Sequence, residues 1–358
     1  MSTPGRRCKP RVAFVYPNAR SELIRRIASD AAPDTELLGQ NHLGAFGVEA
    51  TIHEPAIGQR GGRLTRRALW NLRELTIPWE LGRGADSLFT PLATLLPLAA
   101  RLRGGPPVIV VNYGLCTRWA RSGTARRRLL AASLRSAAAV VCLGASQRDQ
   151  LLAQTRLVPS RVSTIRLGVD ERFFAPQPPV EGAEPLVLAV GKDLARDYAT
   201  FAEALRPLRL RAVIACLPRN VEHVRLPPLV EARFVDPLEL RQLYRRATWV
   251  VVPQRRPDYR YGSEGGGLTA LLEGMATERP VVATDRPILR DYVVDEESAL
   301  LVPPEDPDRL RAAIGRVVED RRFAASLAAT ARARVEQRFT TRHFAEALAS
   351  LVKDVAPL

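Results

Sequence analysis

The sequence is poor in the residues that form metal and disulfide sites. Its 358 residues include four cysteines and four histidines, and neither set is clustered or spaced like ligands. We therefore expect reduced thiols and no bound metal. The loop after the first predicted strand, over residues 11–16, also lacks the G-x-G-x-x-G fingerprint of dinucleotide-binding enzymes. This absence argues against a nicotinamide or flavin enzyme, and the sequence predicts no cofactor.

Long apolar runs are lacking as well. No stretch approaches the roughly 18 apolar residues that cross a bilayer, and the run at 12–16 is too short for a signal-peptide core. These absences predict a cytoplasmic protein. Aromatic residues make up only 6% of the chain, and no RNA-binding or helix-turn-helix signature occurs. Nucleic acid is therefore not an expected partner.

Positive charge is in excess and unevenly distributed. The net charge is +15, and the stretch 87–148 contains nine arginines but no Asp or Glu. Three consecutive arginines, at 126–128, lie in a helix predicted over 118–135. Such a patch predicts attraction to nucleotide phosphates or to an anionic lipid surface, which would place the protein at the inner face of the membrane. The alternative is a solvated helix face in an arginine-rich protein.

The order of predicted elements indicates an α/β protein with two domains. Short β-branched runs alternate with segments of helical composition in both halves of the chain, and 46% of residues are apolar. This alternation is typical of doubly wound parallel sheets, which bind ligands beyond the carboxyl ends of their strands. A proline-rich segment over 177–185 predicts a linker. We therefore place a first domain at 1–176 and a second at 177–339.

One stretch, over 261–285, combines a glycine loop with a helix and a strand. Gly265, Gly266 and Gly267 precede a predicted helix, Leu268–Ala276, and a buried strand follows at 281–283. Glycines at a helix N-terminus let backbone N–H groups approach an anion, and the helix dipole favours phosphate there. Glu273 lies about two turns into the helix, where it can accept hydrogen bonds from a ligand hydroxyl. An ordinary glycine turn before a core helix remains the alternative.

Three segments resemble the retaining family 4 glycosyltransferases of the GT-B fold, within the group 1 glycosyltransferases. They are the Leu-Glu-Gly-Met-Ala run at 272–276, the Pro-Val-Val-Ala-Thr run at 280–284 and the LGVDERFFAP segment at 167–176. The resemblance implies two Rossmann-like domains that face a cleft. It implies that the first domain binds the acceptor and the second the nucleotide sugar. It also assigns the C-terminal helix, 340–358, to the first domain.

The resemblance also implies a site and an activity. Lys192 and Arg196 correspond to the family's diphosphate-binding cations, and Glu273 to its ribose-binding glutamate. Glu264 corresponds to the family's first glutamate. It lies nine positions before Glu273, whereas the family's two glutamates lie eight positions apart, so Gly265 occupies the position expected for the first glutamate. Tyr113 stands where members carry a sugar-side histidine. The implied donor-binding residues are Gly265, Gly266, Gly267, Leu268, Thr269 and Glu273.

The expected activity is metal-independent, retaining hexosyl transfer. The donor would be a nucleoside-diphosphate sugar, and the acceptor a hydroxyl of a natural product, a glycan or a lipid. The exchanged histidine and the shifted first glutamate leave an alternative open. In that alternative, the chain keeps the GT-B fold as a binding or regulatory protein without turnover.

Overall fold

The computed structural model describes residues 9–54, 63–82, 84–91, 94–178, 182 and 184–356. The chain forms two compact units. The first contains residues 1–25, 37–166 and 342–358, and the second contains residues 26–36 and 167–341. The units thus divide at 166/167, whereas the sequence-based domain boundary at 176/177 stays a prediction. Residues 179–181 and 183 of the predicted linker lie outside the described residues.

The first unit contains one parallel sheet of six strands. Their order is β2-β1-β3-β4-β5-β6, and every neighbouring pair is parallel. The strand bounds are β1 Arg11–Val15, β2 Glu49–His53, β3 Ser87–Thr90, β4 Val108–Val111, β5 Ala139–Cys142 and β6 Val162–Thr164. The β3, β4 and β5 strands are buried throughout, as expected for a sheet that helices cover on both faces.

The second unit repeats this architecture with a different strand order. Its sheet runs β12-β11-β10-β7-β8-β9, again wholly parallel. The bounds are β7 Leu186–Val190, β8 Arg211–Ala215, β9 Val230–Arg233, β10 Trp249–Val252, β11 Val281–Thr284 and β12 Leu300–Val302. Counted from β7, this is the 3-2-1-4-5-6 order of dinucleotide-binding folds. Its direction reverses between β7 and β10, so ligand binding is expected at their carboxyl ends.

Thirteen α-helices are assigned in the described residues. In chain order they are α1 Ser21–Ala28, α2 Arg63–Glu74, α3 Ile77–Leu81, α4 Leu96–Leu102, α5 Leu115–Ala120, α6 Thr124–Ser136, α7 Ala145–Thr155, α8 Tyr198–Leu205, α9 Pro237–Arg246, α10 Leu268–Ala276, α11 Pro307–Glu319, α12 Arg321–Arg338 and α13 Thr341–Val355. The predicted α/β class, with two Rossmann-like parallel sheets, is confirmed.

The single helix predicted over 118–135 is wrong, because two helices occupy this stretch. The α5 helix ends at Ala120 and α6 begins at Thr124. Between them, the Ser122 hydroxyl donates to the carbonyl of Arg118 at 2.7 Å, and Gly123 is extended. A side chain that bonds back to the preceding turn, followed by an extended glycine, ends one helix and starts the next.

A close backbone crossing in the second unit depends on Gly168. The N–H of Val169 donates to the carbonyl of Phe339, and the N–H of Thr341 donates to the carbonyl of Val169. Between these bonds, a Cβ added to Gly168 would lie 2.2 Å from the carbonyl oxygen of Thr340. Only glycine allows the two backbones to approach this closely.

We therefore predict that Gly168→Ala lowers the free energy of unfolding by about 2 kcal/mol or more, as overpacking does. Gly315→Ala is the matched control. Gly315 lies inside α11, and a Cβ there would meet nothing within 4 Å. This control should raise stability by about 0.5–1 kcal/mol through helix propensity. Urea unfolding of both variants tests the assignment, and equal effects would contradict it.

Candidate functional site

Two loops meet at the carboxyl ends of β7 and β10 in the second unit. The N–H of Asp197, after β7, donates to the carbonyl of Pro253 at 3.2 Å. The N–H of Arg255, after β10, donates to the carbonyl of Ala195 at 2.9 Å. Because this is where the strand order reverses, the fold itself directs ligand binding to these loops.

Arg196 is buried between the two loops. It is 8% exposed, and its guanidinium packs against Gly191, where an added Cβ would lie 2.0 Å from Nε. The Nε and Nη1 atoms are buried and have no hydrogen-bond partner. A buried cation with unpaired donors is costly unless an anion compensates it. The loop therefore holds two buried donors of Arg196 without a hydrogen-bond partner.

The predicted glycine loop lies beside the same two loops. An added Cβ on Gly267 would lie 2.7 Å from Nε2 of Gln254, and one on Gly266 would lie 3.1 Å from Oδ2 of Asp193. Gly267 is left-handed, with φ of 89°, and is the N-cap of α10. The prediction that Gly265, Gly266 and Gly267 precede a helix is thus confirmed, and two of them adjoin residues near Arg196.

Gln254 joins these parts and was missed in the sequence. Its side chain is fully buried, and its Oε1 atom accepts a hydrogen bond from Arg286 at 3.0 Å. The Nε2 atom is a second buried donor without a partner. Gln254 is the second residue after β10, and this position at a strand end was the only sequence signal that could have identified it.

Arg286 braces the glycine loop from the end of β11. Its Nη1 atom also donates to the carbonyl of Arg255 at 3.0 Å, and its Nη2 atom donates to the carbonyl of Ser263 at 3.1 Å. The side chain is almost completely buried, and this burial lowers its pKa, while Asp193 opposes the shift. Arg286 thereby fixes the start of the loop that continues to Gly267.

Glu273 is buried inside α10 and contacts Tyr244 of α9. The Tyr244 hydroxyl, itself fully buried, donates to Oε2 of Glu273 at 2.8 Å. Burial raises the pKa of Glu273 to about 7, while the Tyr244 hydrogen bond and the charge of Arg196 oppose the shift. Tyr244 was not identified from the sequence, since it reads there as an ordinary helix residue.

The remaining predicted residues have more exposed positions. Lys192 is exposed, and its Nζ atom lies 4.7 Å from the centre of the Phe234 ring. Glu264 is half-buried in the glycine loop, within electrostatic range of Arg286. Leu268 is buried and Thr269 is exposed at the start of α10.

Tyr113 is the one predicted site residue that belongs to the first unit. It follows β4, is partly exposed, and its N–H donates to the carbonyl of Val111 at 3.0 Å. The other nine predicted residues belong to the second unit. Each named residue's role in binding or catalysis stays a prediction.

The described residues contain no group of three or more His, Cys, Asp or Glu side chains arranged to hold a metal ion. None of their helices combines the length and the apolar character needed to cross a membrane.

Comparison with known proteins supports the family resemblance. Residues 232–334, which include the glycine loop and α10, match the model of the family described as glycosyl transferases group 1. D-inositol 3-phosphate glycosyltransferase of Acidothermus cellulolyticus is 33% identical over 46% of this chain. The enzyme of the same name from Frankia alni is 30% identical over 52% of this chain. These matches span 32% and 52% of the relatives' own lengths.

Solved structures share the fold along nearly the whole chain. A sucrose-phosphate synthase from Thermosynechococcus elongatus superposes with a TM-score of 0.74 at 19% identity, covering 96% of this chain and 98% of the other. Anabaena HepE in complex with UDP-glucose superposes with a TM-score of 0.66 at 14% identity, covering 96% and 99%. The fold is GT-B, and the resemblance to group 1 glycosyltransferases is confirmed.

The buried Glu273 carboxyl makes stability dependent on pH. Its pKa is about 7 in the folded state and 4.5 ordinarily, so the folded state binds the proton more tightly. The free energy of unfolding should therefore fall by about 3 kcal/mol as pH rises from 4.5 to above 7.

Glu273→Gln should remove this loss. We predict that the ligand-free variant gains stability relative to the unmutated protein between pH 5.5 and pH 8.5, measured by urea unfolding. The exposed Glu203→Gln serves as the control. A stability difference that stays constant with pH would show that the Glu273 carboxyl is not desolvated.

Proposed function

We propose that the protein is a retaining glycosyltransferase that uses a nucleoside-diphosphate sugar. The observation that carries this proposal is the buried guanidinium of Arg196, whose Nε and Nη1 atoms have no partner. Glycosyl transfer expels a diphosphate, and its developing charge must be stabilised. The Nε and Nη1 atoms of Arg196 can each donate to a phosphate oxygen, and the partnerless Nε2 of Gln254 adds a neutral donor.

The glycine loop and Lys192 would complete the diphosphate site. The backbone N–H of Gly267 lies at the N-cap of α10, where the helix dipole favours negative charge, whereas the N–H of Gly266 already donates to the carbonyl of Ser263 at 3.1 Å. Lys192, exposed on the loop after β7, would add a mobile cation. These donors would do the work that a divalent ion does elsewhere, so we propose a metal-independent reaction without a cofactor.

Glu273 would bind the ribose of the donor nucleotide. Tyr244 occupies its Oε2 atom, which leaves Oε1 with free acceptor capacity for a vicinal diol. An ionised carboxylate accepts these hydrogen bonds more strongly than a protonated one. With a pKa of about 7, donor binding through Glu273 should therefore weaken as pH falls below 7.

The reaction that we propose is hexosyl transfer to a hydroxyl of a natural product, a glycan or a lipid. Complexes of HepE with UDP and with UDP-glucose make UDP-glucose the first donor to test. Tyr113, of the first unit, would hydrogen-bond the transferred sugar or the acceptor. Glu264, of the second unit, would take the place of the family's first glutamate. A cytoplasmic enzyme with peripheral contact to the inner membrane face agrees with these substrates.

A GT-B protein that binds a nucleotide without turnover is the second candidate. The partly exposed Tyr113, in place of the family's histidine, favours it. Glu264 also favours this candidate, because it lies one position from the place expected for the family's first glutamate. The two candidate functions are distinguished by measuring the release of free sugar from a panel of nucleotide sugars, with and without cell extract. Tight nucleotide binding without release or transfer would support the second candidate.

Arg196→Met should separate ligand binding from stability. It removes an unpaired buried charge at similar volume, so the ligand-free protein should become more stable. The same change should weaken UDP binding by about 2–3 kcal/mol, since hydrogen bonds to charged groups contribute about that much. Thermal shift without ligand and calorimetry with UDP measure the two effects. Arg322→Met, on the exposed side of α12, is the control. A variant that binds UDP normally would refute the diphosphate site.

The Glu273 role is tested with sugar-modified nucleotides. We predict that UDP binds more tightly than 2′,3′-dideoxy-UDP to the unmutated protein. In Glu273→Gln, which keeps one acceptor oxygen, the difference should shrink, and in Glu273→Ala it should vanish. Calorimetry at pH 8 gives both affinities. Equal affinity of the unmutated protein for the two nucleotides would show that Glu273 does not bind ribose.

A further inference from the structure

The whole excess of positive charge belongs to the first unit. Its residues include 26 Lys+Arg against 9 Asp+Glu, a net charge of +17. The second unit has 27 Lys+Arg against 29 Asp+Glu, a net charge of −2. Any attraction to a large anionic partner therefore arises from the first unit, whereas the proposed diphosphate site belongs to the second.

The first unit also exposes large apolar side chains close together. Trp79 of α3 is 83% exposed, Leu102 of α4 is 76% exposed and Leu72 of α2 is 62% exposed. Their helices touch. Arg103, next to Leu102, donates to the carbonyl of Leu75, and a Cβ on Gly105 would lie 2.9 Å from Pro78, next to Trp79. Exposed apolar side chains on three helices that contact one another are a feature that marks an interaction surface.

Exposed arginines lie at the same end of α4 as Leu102. Arg101, Arg135 and Arg161 line one recess beside Pro107, and Nη1 of Arg161 donates to the carbonyl of Arg135 at 2.8 Å. No ion pair joins Arg101 or Arg135 to a carboxylate in the described part of the chain. Asp354 borders the recess, Glu80 pairs with Arg73 at 2.9 Å, and Asp86, directly before β3, pairs with Arg11 at 3.3 Å.

This surface lies at the amino ends of the strands. Pro107 directly precedes β4, and α4 and α6 end immediately before β4 and β5. Since a helix between parallel strands runs antiparallel to them, the C-termini of α4 and α6 mark this edge. The consecutive arginines 126–128 lie in the first turn of α6, at the opposite end of the same helix.

We propose that this amino-edge patch, formed by Leu72, Trp79, Leu102, Arg101, Arg135 and Arg161, binds the surface of an anionic lipid bilayer. Trp and Leu side chains have a lower free energy in the interface between headgroups and acyl chains than in water, and Trp is enriched there. The arginines would contact lipid phosphates at the same depth. Nucleic acid would use the arginines but would leave Leu72 and Leu102 in water, so the combination favours lipid. The proposal does not depend on the glycosyltransferase assignment.

Vesicle flotation tests the patch on the full-length chain. The test compares recovery of the protein with neutral phosphatidylcholine vesicles and with vesicles that contain one quarter phosphatidylglycerol, at 0.1 M and 0.5 M salt. The unmutated protein should float only with the anionic vesicles, and less at high salt, because screening weakens charge attraction. Equal recovery with neutral vesicles, or no recovery with either, would overturn the proposal.

Two double variants separate charge from apolar insertion. Arg101→Gln with Arg135→Gln should lower the partition coefficient at least tenfold, since each surface-bound cation contributes about fivefold. Trp79→Ser with Leu102→Ser should abolish the binding that survives at 0.5 M salt. The matched control is Arg126→Gln with Arg128→Gln, which removes the same charge at the other end of α6 and should change binding less than about threefold. A control effect as large as that of the patch variant would overturn the proposal.

Two further readouts exclude other occupants and misfolding. Thermal unfolding verifies that each variant folds, and Trp79→Phe, which keeps the apolar volume, should retain most of the binding. Light scattering reports the oligomeric state. A dimer that Trp79→Ser with Leu102→Ser converts to a monomer would show that a second copy covers the patch. RNA added at equal charge is a competitor for the vesicles. If RNA removes vesicle binding completely and the serine variants still bind RNA, the patch is a nucleic-acid site instead. Either result contradicts the proposal.

Discussion

In the second unit, the loops after β7 and β10 meet around a buried guanidinium, that of Arg196, whose Nε and Nη1 atoms have no hydrogen-bond partner. Arg196 comes from the loop after β7, where the strand order reverses, and it packs onto the bare backbone of Gly191. Its position forces glycine at 191 and brings Gln254 and the loop after β10 alongside. The unpaired charge destabilises the ligand-free fold, and an incoming anion would relieve that cost.

Arg286 and Gln254 explain how such a site stays in shape without a ligand. Glycines 265–267 give the loop close approach but little rigidity, because glycine has more backbone freedom than any other residue. Arg286 supplies the missing constraint by donating to the carbonyls of Arg255 and Ser263 and to Gln254. Buried polar groups that bond to several loops at once fix one arrangement. The loop is thus held from the end of β11, outside its own sequence.

The sequence allowed the elements to be predicted better than their connections. Short β-branched runs identified the strands, because burial on both faces requires them to be apolar throughout. Gln254, Arg286 and Tyr244 were not identified, since their contacts join residues 23 to 32 positions apart. Local periodicity contains no signal for such pairings. The break between α5 and α6 was missed for a local reason: arginine-rich composition suggested a continuous helix, while Ser122 and Gly123 end it.

The net positive charge belongs to the first unit, whereas the proposed diphosphate site belongs to the second. This division has a physical basis. A diphosphate site needs a few donors held at fixed positions in a poorly hydrated loop, where each interaction is strong regardless of the domain's total charge. The second unit, to which the proposed site belongs, has a net charge near zero. A large anionic surface is instead attracted by many exposed charges acting together, each of them weak and screened by salt. The +17 of the first unit is suited to that second task, so composition alone would have directed attention away from Arg196.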